Sequence, residues 1–175
     1  MATIVYATSM LRRFEILGLM GVTIMASNCA LFGGGGGDGF RHATGYLFSA
    51  PTEWKSIDKG ESDAAYRLPS GAIMEMTSSC TRASAAPLEV LTKHLLLGSR
   101  NIRIERQERI KISDGDGLLT QLTSQNRGSP VFLNIIVFAE RGCIFDLSLL
   151  GSRRFSETEL SQYLQLARSF RYGAN

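Results

Sequence analysis

The 175-residue sequence has only two histidines, one tryptophan, three cysteines and four prolines. It also lacks an excess of either charge, with 19 basic residues against 16 acidic ones for a net charge of +3. Each shortage excludes something. His42 and His94 are not spaced with a cysteine as a zinc site requires, so no metal is expected. There is no G-x-S-x-G elbow, and a hydrolase would depend on His94 finding a serine and a carboxylate in space. Charge this even gives no reason to expect nucleic acid as a partner. No apolar stretch near the N-terminus reaches the roughly 20 residues a membrane-spanning helix needs. What remains is ordinary for a globular protein, 44% hydrophobic and 20% charged, in a length that suits one compact domain plus a tail.

The tail is the more distinctive part. Residues 10–29 read MLRRFEILGLMGVTIMASNC, with Met10 a candidate true start. Arg12 and Arg13 supply a positive beginning, residues 16–27 are uncharged and mainly apolar, and the small Ala26 and Ser27 come just before Asn28 and Cys29. The arrangement resembles the lipobox of bacterial lipoproteins, with Asn28 where Gly, Ala or Ser is usual and Ala26 in place of the common Leu. That resemblance implies a signal peptide over residues 1–28, cleavage before Cys29, and a diacylglyceryl group on the Cys29 thiol. An uncleaved anchor and an ordinary secretory signal are the other two readings. The expected address is the cell envelope. In a host with two membranes Ala30, which is not the aspartate of inner-membrane retention, favours the outer one.

Residues 33–37 are an unbroken glycine run followed by Asp38 and Gly39. A phosphate-cradling loop would need a lysine and a Ser or Thr after it, and none is near, so no cofactor is expected there. Residues 29–44 read instead as a flexible lipidated tether with a reach on the order of 20 Å.

The pattern then changes to strands and turns, and residues 45–175 are expected to form a single domain. Strands are predicted over 46–50, 64–68 and 72–80, the last with Met74 and Met76 on one face. Pro87 opens a helix lined by Leu88, Leu91 and Leu95 and closed by Gly98. Residues 101–112 place Ile102, Ile104, Ile110 and Ile112 on one face, with a bulge or turn expected near Arg106 and Glu108. Residues 114–117 form a turn rather than a calcium loop, since the later ligands are missing. A hairpin around residues 126–128 joins strands over 118–124 and 131–139, and a strand over 143–150 turns Cys143, Phe145, Leu147 and Leu149 inward. Ser156 and Glu159 form a capping box for a last helix running on to Phe170. The expected fold class is α+β, an antiparallel sheet with two packed helices.

Cys80 and Cys143 both fall on core-facing positions, so with Cys29 taken by lipid they can pair in an oxidising compartment; two buried thiols are the alternative. Trp54 is expected to pack on the sheet, and an exposed Trp54 would mark a docking surface. The arginines at 100, 103, 106 and 109, interleaved with Glu105 and Glu108, read as a solvated face.

The layout from Tyr46 to Phe170 resembles the PsbP-like superfamily. The marks are an aromatic strand leading into Pro51-x-x-Trp54, the central helix, the long meander and the closing Ser169-Phe170. The resemblance implies a binding or assembly role rather than one shared chemistry. The expected function is a membrane-anchored, non-catalytic envelope module with a protein partner of unknown identity. The alternative is a periplasmic carrier of a small or lipidic ligand, which would need a deep pocket at the Met74/Met76 face.

Overall fold

The computed structural model describes residues 41–80, 86–97, 101–113, 115–126 and 128–173. Seven strands form one antiparallel sheet in the order β2-β3-β4-β8-β7-β6-β5. They are β2 (Lys55–Ser56), β3 (Ala64–Arg67), β4 (Ile73–Ser79), β5 (Arg103–Ile112), β6 (Gly115–Asn126), β7 (Ser129–Glu140) and β8 (Cys143–Gly151). Strands β5 to β8 are a meander of hairpins that ends beside β4. Helix α1 (Leu88–Leu95) lies between β4 and β5 in sequence, and α2 (Glu157–Arg168) follows β8. Two further short strands, β1 (Tyr46–Leu47) and β9 (Arg171–Tyr172), pair with each other and not with the main sheet. The fold class is α+β, as expected.

Strand alternation gives the sheet two faces, and each helix covers one. Met74, Met76, Leu119, Ile136, Phe138, Phe145, Leu147 and Leu149 pack with Tyr163, Leu166 and Ala167 of α2 and with Phe170. On the opposite face Leu122, Ile135, Val137 and Ile144 meet Leu88, Leu91 and Leu95 of α1. Burying each of these side chains stabilises the fold by roughly 1.5–3 kcal/mol before entropy is subtracted. Residues 131–139 supply both layers, which is why they are apolar without alternating. The Tyr163 hydroxyl, sealed under α2, donates to the Leu147 carbonyl oxygen at 2.7 Å, and its burial raises the phenol above its ordinary range.

Several sequence expectations are corrected. The isoleucines of residues 101–112 do not share a face. A register shift between Ile104 and Arg106 inserts one residue, so Ile102 joins the α1 cluster while Ile110 and Ile112 join the α2 core. Ile104, opposite Leu122, is left 50% exposed. The bulge was legible; its consequence was not, because one extra residue exchanges the two faces of everything beyond it. The strand over 46–50 is shorter, since only Tyr46 and Leu47 have a partner strand. The turn near 114–117 is tighter: β5 ends at Ile112 and β6 begins at Gly115. Gly117 is already in the strand, where a Cβ would stand 2.8 Å from Cγ1 of Ile112. Gly98 and Asp114 lie outside the described residues.

Candidate functional site

The densest set of unusual features lies where the N-terminal tail meets the domain. β4 and β8 are antiparallel with Ser79 opposite Ile144, so one step further Cys80 stands opposite Cys143. The two are joined by a disulfide. Cys143 is placed by the tight Arg141-Gly142 turn, with φ of 47° and 76°, that reverses β7 into β8. Its Sγ lies 3.8 Å from the Tyr172 hydroxyl.

The incoming chain is held against this end. The Cys80 amide donates to the Arg41 carbonyl oxygen at 2.8 Å, and the Ala43 amide donates to Ser78 Oγ at 2.8 Å. His42 Nδ1 lies 2.7 Å from Asp63 Oδ1, on a carboxylate that is itself almost buried. Residues 41–44, assigned to the tether from sequence, are therefore fastened to the domain, and Ala43 is part of the core. Beyond them Tyr46 packs on Phe145 and Phe170, with ring centroids 5.4 and 5.6 Å away. Its phenol is shifted upward by burial first and by neighbouring Asp63 second.

The other candidates fall elsewhere. Trp54 is 5% exposed, against Tyr66, and its indole N–H donates to Gln162 Oε1 at 3.3 Å. It is core and offers no docking surface. Met74 and Met76 are wholly buried under α2, so the face that a carrier would need to open is filled by side chains. His94 is exposed on α1. Arg106 and Arg109 are ion-paired with Glu108 and Glu89, and Arg100 lies outside the described residues. Cys29 and the whole leader also lie outside them. Among the described residues, no group of three or more His, Cys, Asp or Glu could hold a metal ion.

A shallow cleft of about 130 Å³ is lined by Ser70, Gly71, Gly151, Arg153, Phe155 and Glu159. That is well below the roughly 300 Å³ at which small-molecule pockets begin. Its carboxylate is already engaged. Burial raises the Glu159 pKa, but hydrogen bonds from Ser70, the Ser156 backbone and hydroxyl, and Arg153 outweigh it and lower it to about 2. Glu159 is the capping-box residue of α2, and its role is structural.

Sequence reading missed Asp146. It sits on the α1 face of β8, opposite Val137 and Thr77, with Oδ1 sealed from solvent and without a hydrogen-bond partner. Burial alone raises its pKa to about 7. The available signal was one acid in a strand otherwise free of charge, on a face read as outward. That face is covered: Ile144 and Ser148 beside it are 7% and 4% exposed.

Neither a protein-family model nor a curated protein matches the chain. Solved structures do. The cyanobacterial PsbP protein CyanoP from Synechocystis sp. PCC 6803 superposes with a TM-score of 0.54 at 18% identity, over 80% of this chain and 98% of that one. The fold is PsbP-like. LpqN from Mycobacterium tuberculosis has a TM-score of 0.50 at 9% identity, covering 77% of this chain and 86% of its own. A Bacteroides thetaiotaomicron protein has a TM-score of 0.56 at 12% identity over 75% of this chain, which spans 46% of that protein's length. At these identities the likeness speaks for the PsbP-like fold alone.

Proposed function

We propose that the chain is an exported lipoprotein, held at the cell envelope by a lipid on Cys29, whose PsbP-like domain is a non-catalytic interaction or assembly module. The observation that carries the proposal is the Cys80–Cys143 disulfide. Such a bond belongs to an oxidising compartment, which agrees with an export leader. It also uses two of the three cysteines and leaves Cys29 alone at the end of that leader. No described helix is long and apolar enough to cross a membrane. The mycobacterial neighbour is described as involved in cell envelope biogenesis, a setting the proposed anchor shares.

The interaction role is supported by what the side chains are already doing. The Met74/Met76 face is filled, the shallow cleft is occupied by a satisfied cap network, and His94 stands on an exposed helix face. Two experiments test the reading. Radiolabelled palmitate should label the wild-type chain in cells but not Cys29→Ala, and globomycin should leave the leader uncleaved; equal labelling of the mutant refutes the anchor. Crosslinking in intact cells should recover a protein partner, whereas a lipid that stays bound when the protein is extracted from the membrane would favour a carrier.

A further inference from the structure

We infer that the end of the domain from which the tether leaves is a docking surface for an anionic lipid bilayer, with Leu47 at its centre and Arg41, Arg141, Arg168 and Arg171 around it. This rests on the proposed anchor for where the membrane lies.

Leu47 is 73% exposed, the most exposed large apolar side chain among the described residues. In the β1–β9 ribbon it is the direct partner of Arg171, so the two side chains stand together on the outer face, while Tyr46 and Tyr172 turn inward to Phe145. Arg141 is held against the same ribbon, its guanidinium 5.2 Å from the Tyr172 ring centre and donating to the Gly173 carbonyl oxygen. Arg171 donates to the Arg168 carbonyl oxygen, which brings in the end of α2. Arg41 arrives through its bond to Cys80, itself linked to Cys143 at the foot of the Arg141-Gly142 turn. All four arginines are exposed, and none is ion-paired with a described residue. The acids at this end are largely engaged or displaced. Asp63 is against His42 and Asp116 against Lys111, while Asp58 and Glu61 lie in the loop between β2 and β3, with β4 between that loop and β8. Glu140 is half-buried.

An exposed leucine paired with an arginine, with further arginines at the same end of the domain, suits a charged interface, where the guanidinium heads stay with phosphates while the leucine enters the headgroup layer. The position matters as much as the composition. Arg41 follows Cys29 by 12 residues (41 minus 29), which span at most about 43 Å in any conformation. With the lipid on Cys29 this end of the domain stays within that distance of the membrane, whose surface potential acts over roughly 8–10 Å.

The test uses the full chain with Cys29→Ala, so that lipidation plays no part and its failure would be seen separately by palmitate labelling. Partitioning onto vesicles of phosphatidylcholine alone and of phosphatidylcholine with phosphatidylglycerol gives an anionic preference. Each arginine near such a surface contributes about fivefold, so Arg141→Gln with Arg171→Gln should lower the preference about 25-fold. Any pull from Arg12 and Arg13 is common to both proteins and cancels. Arg141→Lys with Arg171→Lys should retain the preference, and Leu47→Ser should weaken binding to the anionic vesicles. Arg67→Gln, at the opposite end of β3, should change nothing. An unchanged preference in the double glutamine variant, or an equal loss in Arg67→Gln, overturns the inference.

Discussion

Cys80 and Cys143 face each other one step beyond the last Ser79–Ile144 pair of the β4–β8 ladder, and their disulfide closes the sheet at the end where the N-terminal chain enters. The bond spans 63 residues, including α1 and the hairpins of β5, β6 and β7. It ties β4, before the crossover, to β8, the last strand of the meander, so it constrains the part of the chain with the longest return path.

Loop-closure entropy for that span is worth about 4 kcal/mol. The double variant Cys80→Ala, Cys143→Ala should lower unfolding stability by about that amount in a urea titration. Wild-type protein should show the same loss when reductant is present. An unchanged midpoint under reducing conditions would show that the staple contributes little.

Asp146 should give stability an unusual pH dependence. Its folded pKa is raised to about 7 against an ordinary 3.8, so between those values the native state binds more protons than the unfolded chain. Its contribution is therefore most favourable below about pH 4 and is lost as pH rises through 7. Asp146→Asn should flatten that decline and stabilise the protein at pH 8 by about 1–3 kcal/mol, because the amide stays neutral where the carboxylate must ionise against its desolvation cost. Thermal melts of both proteins from pH 4 to 8 check it, and parallel curves would be the contrary result.

Glu159 acts with the opposite sign. Its pKa is lowered to about 2 from an ordinary 4.5, so its contribution is complete above 4.5 and is lost as pH falls toward 2. Glu159→Ala removes the carboxylate that accepts from the Ser156 N–H and hydroxyl and pairs with Arg153, leaves the backbone N–H that donates to Ser156 Oγ, and should cost about 1–2 kcal/mol at neutral pH. The difference between variant and wild type should narrow in acid. Circular dichroism melts at pH 7 and pH 2.5 read both effects.

Trp54 should behave as a core residue. Trp54→Ala is expected to cost about 3–5 kcal/mol, and Trp54→Phe less, mainly through the lost bond to Gln162. A value within about 0.5 kcal/mol of wild type for Trp54→Ala would mean that the indole is expendable at the surface.

The predictions differ in where their signal lies in the chain. The box Ser156/Glu159, the leucine stripe of α1, and the alternation of Cys143, Phe145, Leu147 and Leu149 are all periodicities within a dozen residues. Such patterns report local conformation and which side is buried, and here they led to the α+β class and to two cysteines turned inward. The bulge near Arg106 was also legible, since charges interrupt an isoleucine row. Which face each isoleucine then joins was not, because that follows from the partner strand's register.

The sequence by itself determined the elements, the burial of most strand faces and the segment in which an anchor could sit. Only the tertiary structure decided that Trp54 is enclosed, that Oδ1 of Asp146 is shut off from solvent, and that Cys80 meets Cys143. It also decided that Leu47 lies beside Arg171 and that Arg141 packs on Tyr172, the neighbour of Arg171. These residues are separated by up to 124 positions (171 minus 47), and no local period links them. Their meeting depends on strand order and register, which are set by the packing of whole layers against one another.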